Sequence, residues 1–121
     1  ERDDAAGQLY TWGRGSAGQL GQSEERHPGE NCALPQPVRC LPRVVHVACG
    51  TGSQGCTLAV TAEGYVYAFG NNYRGRLGLP ASVQYISEPH RVMGGLSVRV
   101  SKVAVSDAHS LALSVDGRVF S

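Results

Sequence analysis

The sequence feature that most constrains the fold is an internal repeat. Residues 7–13, Gly-Gln-Leu-Tyr-Thr-Trp-Gly, reappear with similar residue types at positions 64–70. A second block, residues 57–67, matches residues 110–120 in the same way. The period is roughly 50 to 57 residues, and periods near this size with several short strands are typical of β-propeller blades. The chain therefore holds about two copies of one structural unit.

Each copy contains short runs with the alternation of a β-strand. The runs at 56–61 and 65–69 flank the pair Glu63-Gly64, and Asp116-Gly117 stands at the equivalent place in the second copy. Asp-Gly strongly favours a hairpin, because the tight turn needs a positive φ that glycine adopts freely. Further strands are predicted at 44–49 and 100–105, with short edge strands at 37–41 and 89–93, where prolines are tolerated. No amphipathic helix of ordinary length is predicted, so the fold class is all-β.

Glycine is enriched, with 16 in the chain, and it marks two equivalent loops. Glycines there are predicted to allow a sharp turn and a close approach to the neighbouring blade, which a Cβ atom would block. These structural glycines are Gly13, Gly18, Gly21, Gly70, Gly75 and Gly78. Leu20 and Leu77 are predicted to fill the gap between blades. The first loop also has the spacing Gly-x-Gly-x-x-Gly, but no helix follows and the second loop lacks the middle glycine, so no nucleotide site is predicted.

Charge and composition exclude several functional classes. The formal net charge is +1 and 41% of the residues are hydrophobic, which argues against disorder and against a basic stripe for nucleic acid. No apolar run is long enough for a membrane span, so no membrane partner is expected. The first residues, which are charged, are unlike a secretory signal. We therefore expect an intracellular protein, nuclear or cytoplasmic.

The four cysteines lack the spacing of a metal site, since none forms a Cys-x-x-Cys pair. Cys49 and Cys56 are instead predicted to be small buried residues within strands. The four histidines are scattered, and the sequence shows neither a Ser-His-Asp arrangement nor paired carboxylates. We therefore expect no metal, no cofactor, no small-molecule substrate and no catalytic residues.

Taken in order, these motifs resemble the RCC1 repeat, named after the regulator of chromosome condensation. The order is Trp-Gly or Phe-Gly, Gly-x-Leu-Gly, Pro-x-x-Val, Val-x-x-Val-Ala-Cys-Gly, His-Ser-Leu-Ala-Leu and Asp-Gly, and it extends from residue 7 to residue 121. The resemblance implies an all-β chain of RCC1-like β-propeller blades, about two repeats of a seven-bladed ring. The predicted division is a lead-in at 1–6, repeats at 7–63 and 64–116, and a truncated repeat at 117–121.

Both ends of the chain cut the repeat pattern. We therefore expect a segment of a longer protein that is only marginally stable alone, because each repeat needs neighbours to bury its faces. The repeats also depart from the RCC1 pattern at one turn. The first copy has three added residues between Cys49 and Cys56, and Cys56 stands where the family usually has histidine. The second copy reads Ser106-Asp107-Ala108-His109-Ser110, with serine in place of glycine.

The resemblance also implies which residues meet a partner. This turn lies at the mouth of the propeller, so Asp107 is a candidate for partner contact, with local turn formation as the alternative. Asn71, Asn72 and Arg74, in the glycine loop, are further candidates for partner binding. His109 is expected to hydrogen-bond within its blade. Trp12 and Phe69 are expected to pack in the core between blades.

The function predicted is a non-catalytic scaffold for protein–protein interaction within a larger propeller. The first alternative is a guanine-nucleotide exchange factor for a Ran-type small GTPase, which would act by binding the nucleotide-free state more tightly. The second is the regulatory propeller of a ubiquitin ligase or a kinase. Partners are expected to be other proteins, with a small GTPase as one possibility and chromatin by analogy with the founding member of the family.

Overall fold

The computed structural model describes residues 7–14, 17–22, 32–39, 41–50, 55–80, 82–92 and 98–121. These residues form nine β-strands and one short 3-10 helix, at Tyr73–Gly75. The strands are β1 Tyr10–Gly13, β2 Cys32–Pro37, β3 Val44–Cys49, β4 Cys56–Thr61, β5 Val66–Asn71, β6 Tyr85–Val92, β7 Val100–Val105, β8 Ser110–Ser114 and β9 Val119–Phe120. The predicted all-β class is confirmed.

The strands form three antiparallel sheets, each a meander of sequential strands. Their orders are β1-β2, β3-β4-β5-β6 and β7-β8-β9. The second and third sheets meet through strand β7, which contacts both β3 and β4. There the Val103 N–H donates a hydrogen bond to His46 Nδ1 over 3.3 Å. The stacking of one sheet on the next is the arrangement of propeller blades.

Strand β4 shows why the middle of a blade is so apolar. All six residues of Cys56–Thr61 are buried, because β4 has a strand on each side and a neighbouring sheet over its face. Strand β3 alternates between half-buried and exposed residues. The buried face joins Leu58, Val60 and Val66 to Val103 in the core shared by the two sheets. Full burial of each such side chain stabilises the fold by roughly 1.5 to 3 kcal/mol.

The two predicted hairpin turns are confirmed. Gly64 and Gly117 both have φ +91°, the left-handed conformation that an Asp-Gly or Glu-Gly turn requires. A hydroxyl stabilises each turn from the strand before it. Thr61 Oγ1 accepts a hydrogen bond from Tyr65 N (3.1 Å), and Ser114 Oγ accepts one from Arg118 N (2.9 Å).

The glycine loops pack against the next sheet. A Cβ atom at Gly18 would lie 2.5 Å from the Ile86 carbonyl oxygen, so only glycine fits. Leu20 and Leu77 are 6% and 1% exposed, which agrees with their predicted position between blades. Thr57 Oγ1 also donates to the Gln19 carbonyl over 3.1 Å and ties the first loop to β4.

The outer strands begin earlier than the sequence predicts. Strand β2 covers Cys32–Pro37 instead of 37–41, and β6 covers Tyr85–Val92 instead of 89–93. Pairing with β1 decides the first case, because Pro37 is the last partner, opposite Tyr10. Val38 then turns inward and is 1% exposed. Pro37 ends β2 and Pro89 lies inside β6, so neither proline starts its strand.

The sheets and the sequence repeats are out of phase. The four-stranded sheet runs from Val44 to Val92, so it crosses the predicted boundary between the repeats 7–63 and 64–116. The first repeat contributes β1 and β2 to one sheet and β3 and β4 to the next. The second repeat divides β5, β6, β7 and β8 in the same way. Of the two cysteines predicted to be buried, Cys56 is 2% exposed, but Cys49 is exposed because it ends β3 on the open face.

Candidate protein-binding surface

One edge of the sheets carries most of the predicted partner-binding residues. Strands β3, β5 and β7 end there, because antiparallel neighbours alternate in direction. We call the described residues 17–22, 72–80 and 106–109 at this edge the loop edge. It includes both glycine loops and the β7–β8 turn.

Ser106 builds the β7–β8 turn. Its hydroxyl oxygen accepts hydrogen bonds from Ala108 N (3.2 Å) and His109 N (3.3 Å). Its own N–H donates to the His109 carbonyl over 2.9 Å. The same hydroxyl lies 3.1 Å from His109 Nδ1. Ser106 therefore closes the turn, and the His109 ring lies within hydrogen-bond distance of the Ser106 hydroxyl in its own blade.

Asp107 is left at the tip of this turn with its carboxylate exposed. The backbone hydrogen bonds that an aspartate could make in a local turn are made by Ser106 instead. No hydrogen bond or ion pair of the Asp107 carboxylate is found within the described part of the chain. The geometry therefore leaves this negative charge available to another molecule.

Arg74 is the second exposed charge at the loop edge. Its guanidinium lies 5.2 Å from the centroid of the Tyr73 ring. The hydrogen bond with the Tyr73 side chain raises the pKa of Arg74, and the charge of Asp107 adds a smaller effect in the same direction. Arg74 has φ +54°, and among the non-glycine residues described it alone has a positive φ. Such a conformation is strained, because the Cβ atom crowds the following carbonyl.

Asn72, one of the predicted partner-binding residues, lies inside the loop and not at its surface. Asn72 is 4% exposed. Its Nδ2 donates to the carbonyls of Leu79 (3.3 Å), Pro80 (3.1 Å) and Val83 (2.8 Å), while its Oδ1 accepts a hydrogen bond from Leu77 N (3.0 Å). The Asn72 side chain supplies hydrogen-bond partners to backbone groups of the loop. Its amide group is therefore hydrogen-bonded inside the protein.

Asn71 is half-buried and also shapes the loop. Its Oδ1 accepts a hydrogen bond from Tyr73 N over 2.8 Å, an Asx turn that begins the 3-10 helix. Of the predicted partner-binding residues, the structure thus brings Asp107 and Arg74 to the exposed surface. Their role in binding stays a prediction.

Arg76 is a structural residue that the sequence reasoning missed. It is 3% exposed, and its guanidinium donates to the carbonyls of Asn71 (2.9 Å) and Ser106 (3.2 Å). Its own carbonyl accepts a hydrogen bond from Ser110 Oγ. Arg76 therefore holds the loop that carries Arg74 against the turn that carries Asp107. Burial raises the pKa of the Cys56 thiol, and the charge of Arg76 opposes that effect.

A sequence signal for Arg76 did exist. It occupies the variable position of Gly-x-Leu-Gly, where the first repeat has Gln19. In both repeats the carbonyl at this position accepts a hydroxyl hydrogen bond from the second strand of the next sheet, at Thr57 and at Ser110. Because Gln19 aligns with Arg76 and Thr57 aligns with Ser110, comparison of the two repeats indicates a contact between blades at this position.

The aromatic residues of the two repeats lie in different surroundings. Phe69 is fully buried, whereas Trp12 is 58% exposed. The expected core position of Trp12 is therefore not found. Strand β1 pairs with β2 alone within the described residues, so no third strand covers that side of Trp12. The Phe69 ring in turn packs against Gly21.

An apolar cleft of about 430 Å³ separates the second and third sheets next to the loop edge. Leu58, Val66, Leu77 and Phe120 line it, with Arg74 and His109 among its polar neighbours. Gly78 beside it is the counterpart of Gly21, but no described aromatic ring packs on Gly78 as Phe69 does on Gly21. The cleft lies between two blades, at the position equivalent to the one that the Phe69 ring fills beside Gly21.

Comparison with known proteins identifies the repeat. The family model described as Regulator of chromosome condensation (RCC1) repeat matches residues 6–56 and 63–113. The chain belongs to the RCC1 repeat family. Both matches cross from one sheet into the next, in agreement with the offset between repeats and blades.

Relatives of this RCC1-repeat chain include large proteins. It is 39% identical over 119 residues to the human E3 ubiquitin-protein ligase HERC2. The alignment covers 97% of this chain and 2% of HERC2. It is 32% identical over 117 residues to the Protein RCC2 homolog of Xenopus laevis, covering 95% of this chain and 21% of the relative. The chain thus spans a small part of the curated relatives it matches.

The fold matches part of a solved propeller. The crystal structure of Prp20p from Saccharomyces cerevisiae, a protein studied for its binding to Gsp1p and histones, superposes with a TM-score of 0.78 at 21% identity. The match covers 90% of this chain and 27% of Prp20p, so it shows the fold of the section. No helix in the described part of the chain has the length and apolar character of a membrane span.

Proposed function

We propose that this RCC1-repeat chain is a non-catalytic, protein-binding section of a propeller whose loop edge contacts the partner through Asp107 and Arg74. The observation that carries the proposal is the β7–β8 turn. Ser106 makes the local hydrogen bonds of the turn, and the Asp107 carboxylate is exposed at its tip. An exposed charge on a loop that a rigid scaffold holds in place is well suited to recognition.

The backbone of Arg74 supports the same role. A left-handed conformation at a non-glycine residue costs on the order of 1 to 3 kcal/mol, and such residues cluster at functional sites. Here the strained residue carries an exposed guanidinium at the loop edge. The buried Arg76 fixes the separation of the two loops through the carbonyls of Asn71 and Ser106. Charges of opposite sign at fixed positions give a partner a defined orientation.

A non-catalytic role agrees with the surroundings of the titratable groups. Asp107 and His109 are exposed. Catalytic acids and bases are more often buried or placed beside charges that shift their pKa values. The relation to HERC2 favours a section that recruits proteins to a ubiquitin ligase, so that binding by the loop edge would serve a regulatory propeller.

Charge reversal tests the proposal. Asp107→Arg and Arg74→Glu are compared with Glu88→Arg, a matched reversal at an exposed residue in the middle of β6. Proteins recovered from a cell extract by each variant are quantified by mass spectrometry, and binding is then measured with the purified partner. We expect both loop-edge variants to weaken one interaction about tenfold or more, as truncation of an interfacial charge commonly does. Equal binding by all three variants would contradict the proposal.

A second candidate function is nucleotide exchange on a Ran-type small GTPase. It is supported by the likeness to Prp20p, which is described as binding Gsp1p. Asp107 would then face the GTPase and stabilise its nucleotide-free state. Release of a fluorescent nucleotide should accelerate with the chain and slow again with Asp107→Ala. A release rate equal to the spontaneous rate would remove this candidate.

A further inference from the structure

The edge of the sheets opposite the loop edge is rich in arginine. We call the described residues 38–39, 41–43, 62–65, 91–92, 98–99 and 115–118 the hairpin edge, since it contains both acidic-Gly hairpins. Its exposed basic residues are Arg39, Arg43, Arg91, Arg99 and Arg118. Its acidic residues are Glu63 and Asp116.

The fold places two of these arginines at equivalent positions in consecutive blades. Arg43 precedes β3 and its carbonyl accepts a hydrogen bond from Ala62 N (2.8 Å). Arg99 precedes β7 and its carbonyl accepts one from Val115 N (2.8 Å). Each arginine is thereby held beside the hairpin of its own blade. The guanidinium of Arg99 also donates to the Glu63 carbonyl over 3.2 Å and so spans two blades.

The contacts of the other charged side chains leave an excess of positive charge. Arg118 pairs with Asp116 at 3.1 Å, which neutralises both. Arg91 stacks on the Tyr65 ring, with 3.8 Å between the guanidinium carbon and the ring centroid. Among the described residues of this edge, Glu63 is the one remaining acidic residue beside the other four arginines. The net charge of +1 for the whole chain hides this edge, because acidic residues elsewhere balance it.

We propose that the hairpin edge binds an acidic segment of a partner protein, with carboxylates seated on Arg39, Arg43 and Arg99. Guanidinium groups suit carboxylates because their planar fork can donate two parallel hydrogen bonds. The repeated position of Arg43 and Arg99 offers two such sites at the spacing of neighbouring blades. This surface lies opposite the loop edge, so the proposal does not depend on the proposed function.

Two observations favour a protein over nucleic acid. Arg91 covers the Tyr65 ring, which would otherwise be the stacking platform for a base at this edge. Glu63 and Asp116 at the hairpin tips interrupt the positive field, which suits separate carboxylates better than an unbroken row of phosphates. Arginine here recognises discrete charges at fixed points.

The test measures binding of the full chain to a fluorescein-labelled peptide of twelve residues, half of them glutamate, by fluorescence anisotropy. The variant Arg39→Gln/Arg43→Gln is compared with Arg14→Gln/Lys102→Gln, which removes the same charge away from the hairpin edge. A single-stranded oligonucleotide of equal charge is the second probe. Circular dichroism checks that every variant keeps its β-sheet content.

We expect the peptide to bind, with affinity that falls as salt is raised. The hairpin-edge variant should bind about five to ten times more weakly, the loss of two exposed charge pairs, and the control variant should bind as the original chain does. Absence of peptide binding, an equal loss in the control variant, or tighter binding of the oligonucleotide than of the peptide would each overturn the proposal.

Discussion

At the scale of single residues, polar side chains of similar size differ in their role: one stabilises the fold from inside, and the other is exposed at the surface. Asn72 is buried with four hydrogen bonds, whereas Asp107 has an exposed carboxylate. Ser106 explains the second case, because its hydroxyl closes the turn that aspartate could have closed. The candidate surface therefore depends on polar residues that are satisfied internally and hold the exposed charges in place.

Asn72→Ala should destabilise the chain by about 2 to 4 kcal/mol, because several buried backbone groups lose their partner. Asn71→Ala is the matched change, since Asn71 is half-buried and its Oδ1 accepts a hydrogen bond from the exposed N–H of Tyr73. It should cost about 1 kcal/mol. Urea unfolding followed by circular dichroism measures both. Equal midpoints for the two variants would show that the Asn72 contacts do not stabilise the loop.

At the scale of elements, the inner strands follow from the sequence and the outer strands do not. Residues 44–49, 56–61 and 100–105 are strands as predicted, because apolar alternation marks all three and the pair Glu63-Gly64 follows the second. The outer strands are displaced toward the N-terminus because register with β1 and β5 sets them. Hydrogen bonding between distant residues is absent from local patterns, which also explains why the burial of Asn72 and Arg76 was not predicted.

The second hairpin contains a pH-sensitive contact. Hydrogen bonds from Ser114 and then from Arg118 hold the pKa of the Asp116 carboxyl below its usual value. Because the pKa is lowered in the folded state, the ionised Asp116 carboxylate adds to the free energy of unfolding. This stabilisation is complete above about pH 4, the usual pKa in the unfolded chain, and is lost as pH falls through the pKa of the folded state. Asp116 is exposed, so the effect is small.

Asp116→Asn should therefore lower the urea midpoint at pH 7, where the carboxylate is charged, and should lower it by less at pH 3, which is below the usual carboxyl pKa of about 4. The measurement is urea unfolding of both proteins at the two pH values. A midpoint difference that is the same at pH 3 and pH 7 would show that the charge of Asp116 does not contribute to the hairpin.

At the scale of the whole molecule, the offset between repeats and sheets links neighbouring blades. A loop of one repeat supplies Leu20 or Leu77 to the interface with the next sheet, and the hydroxyls of Thr57 and Ser110 bond those loops. Family membership, the β-propeller class and the contact between blades could be predicted from the repeat alone. The two charged edges could not, because they appear only when distant loops and hairpins are brought together.

The proposed contact of the loop edge with a partner protein depends on Asp107 and Arg74. Site-specific photo-cross-linking tests it most directly, with benzoylphenylalanine in place of Asp107, Arg74 or, as the control, Glu88. We expect positions 107 and 74 to cross-link to the same protein on illumination in a cell extract, and position 88 not to do so. Adducts that are absent at 107 and 74, or that match those at 88, would contradict it.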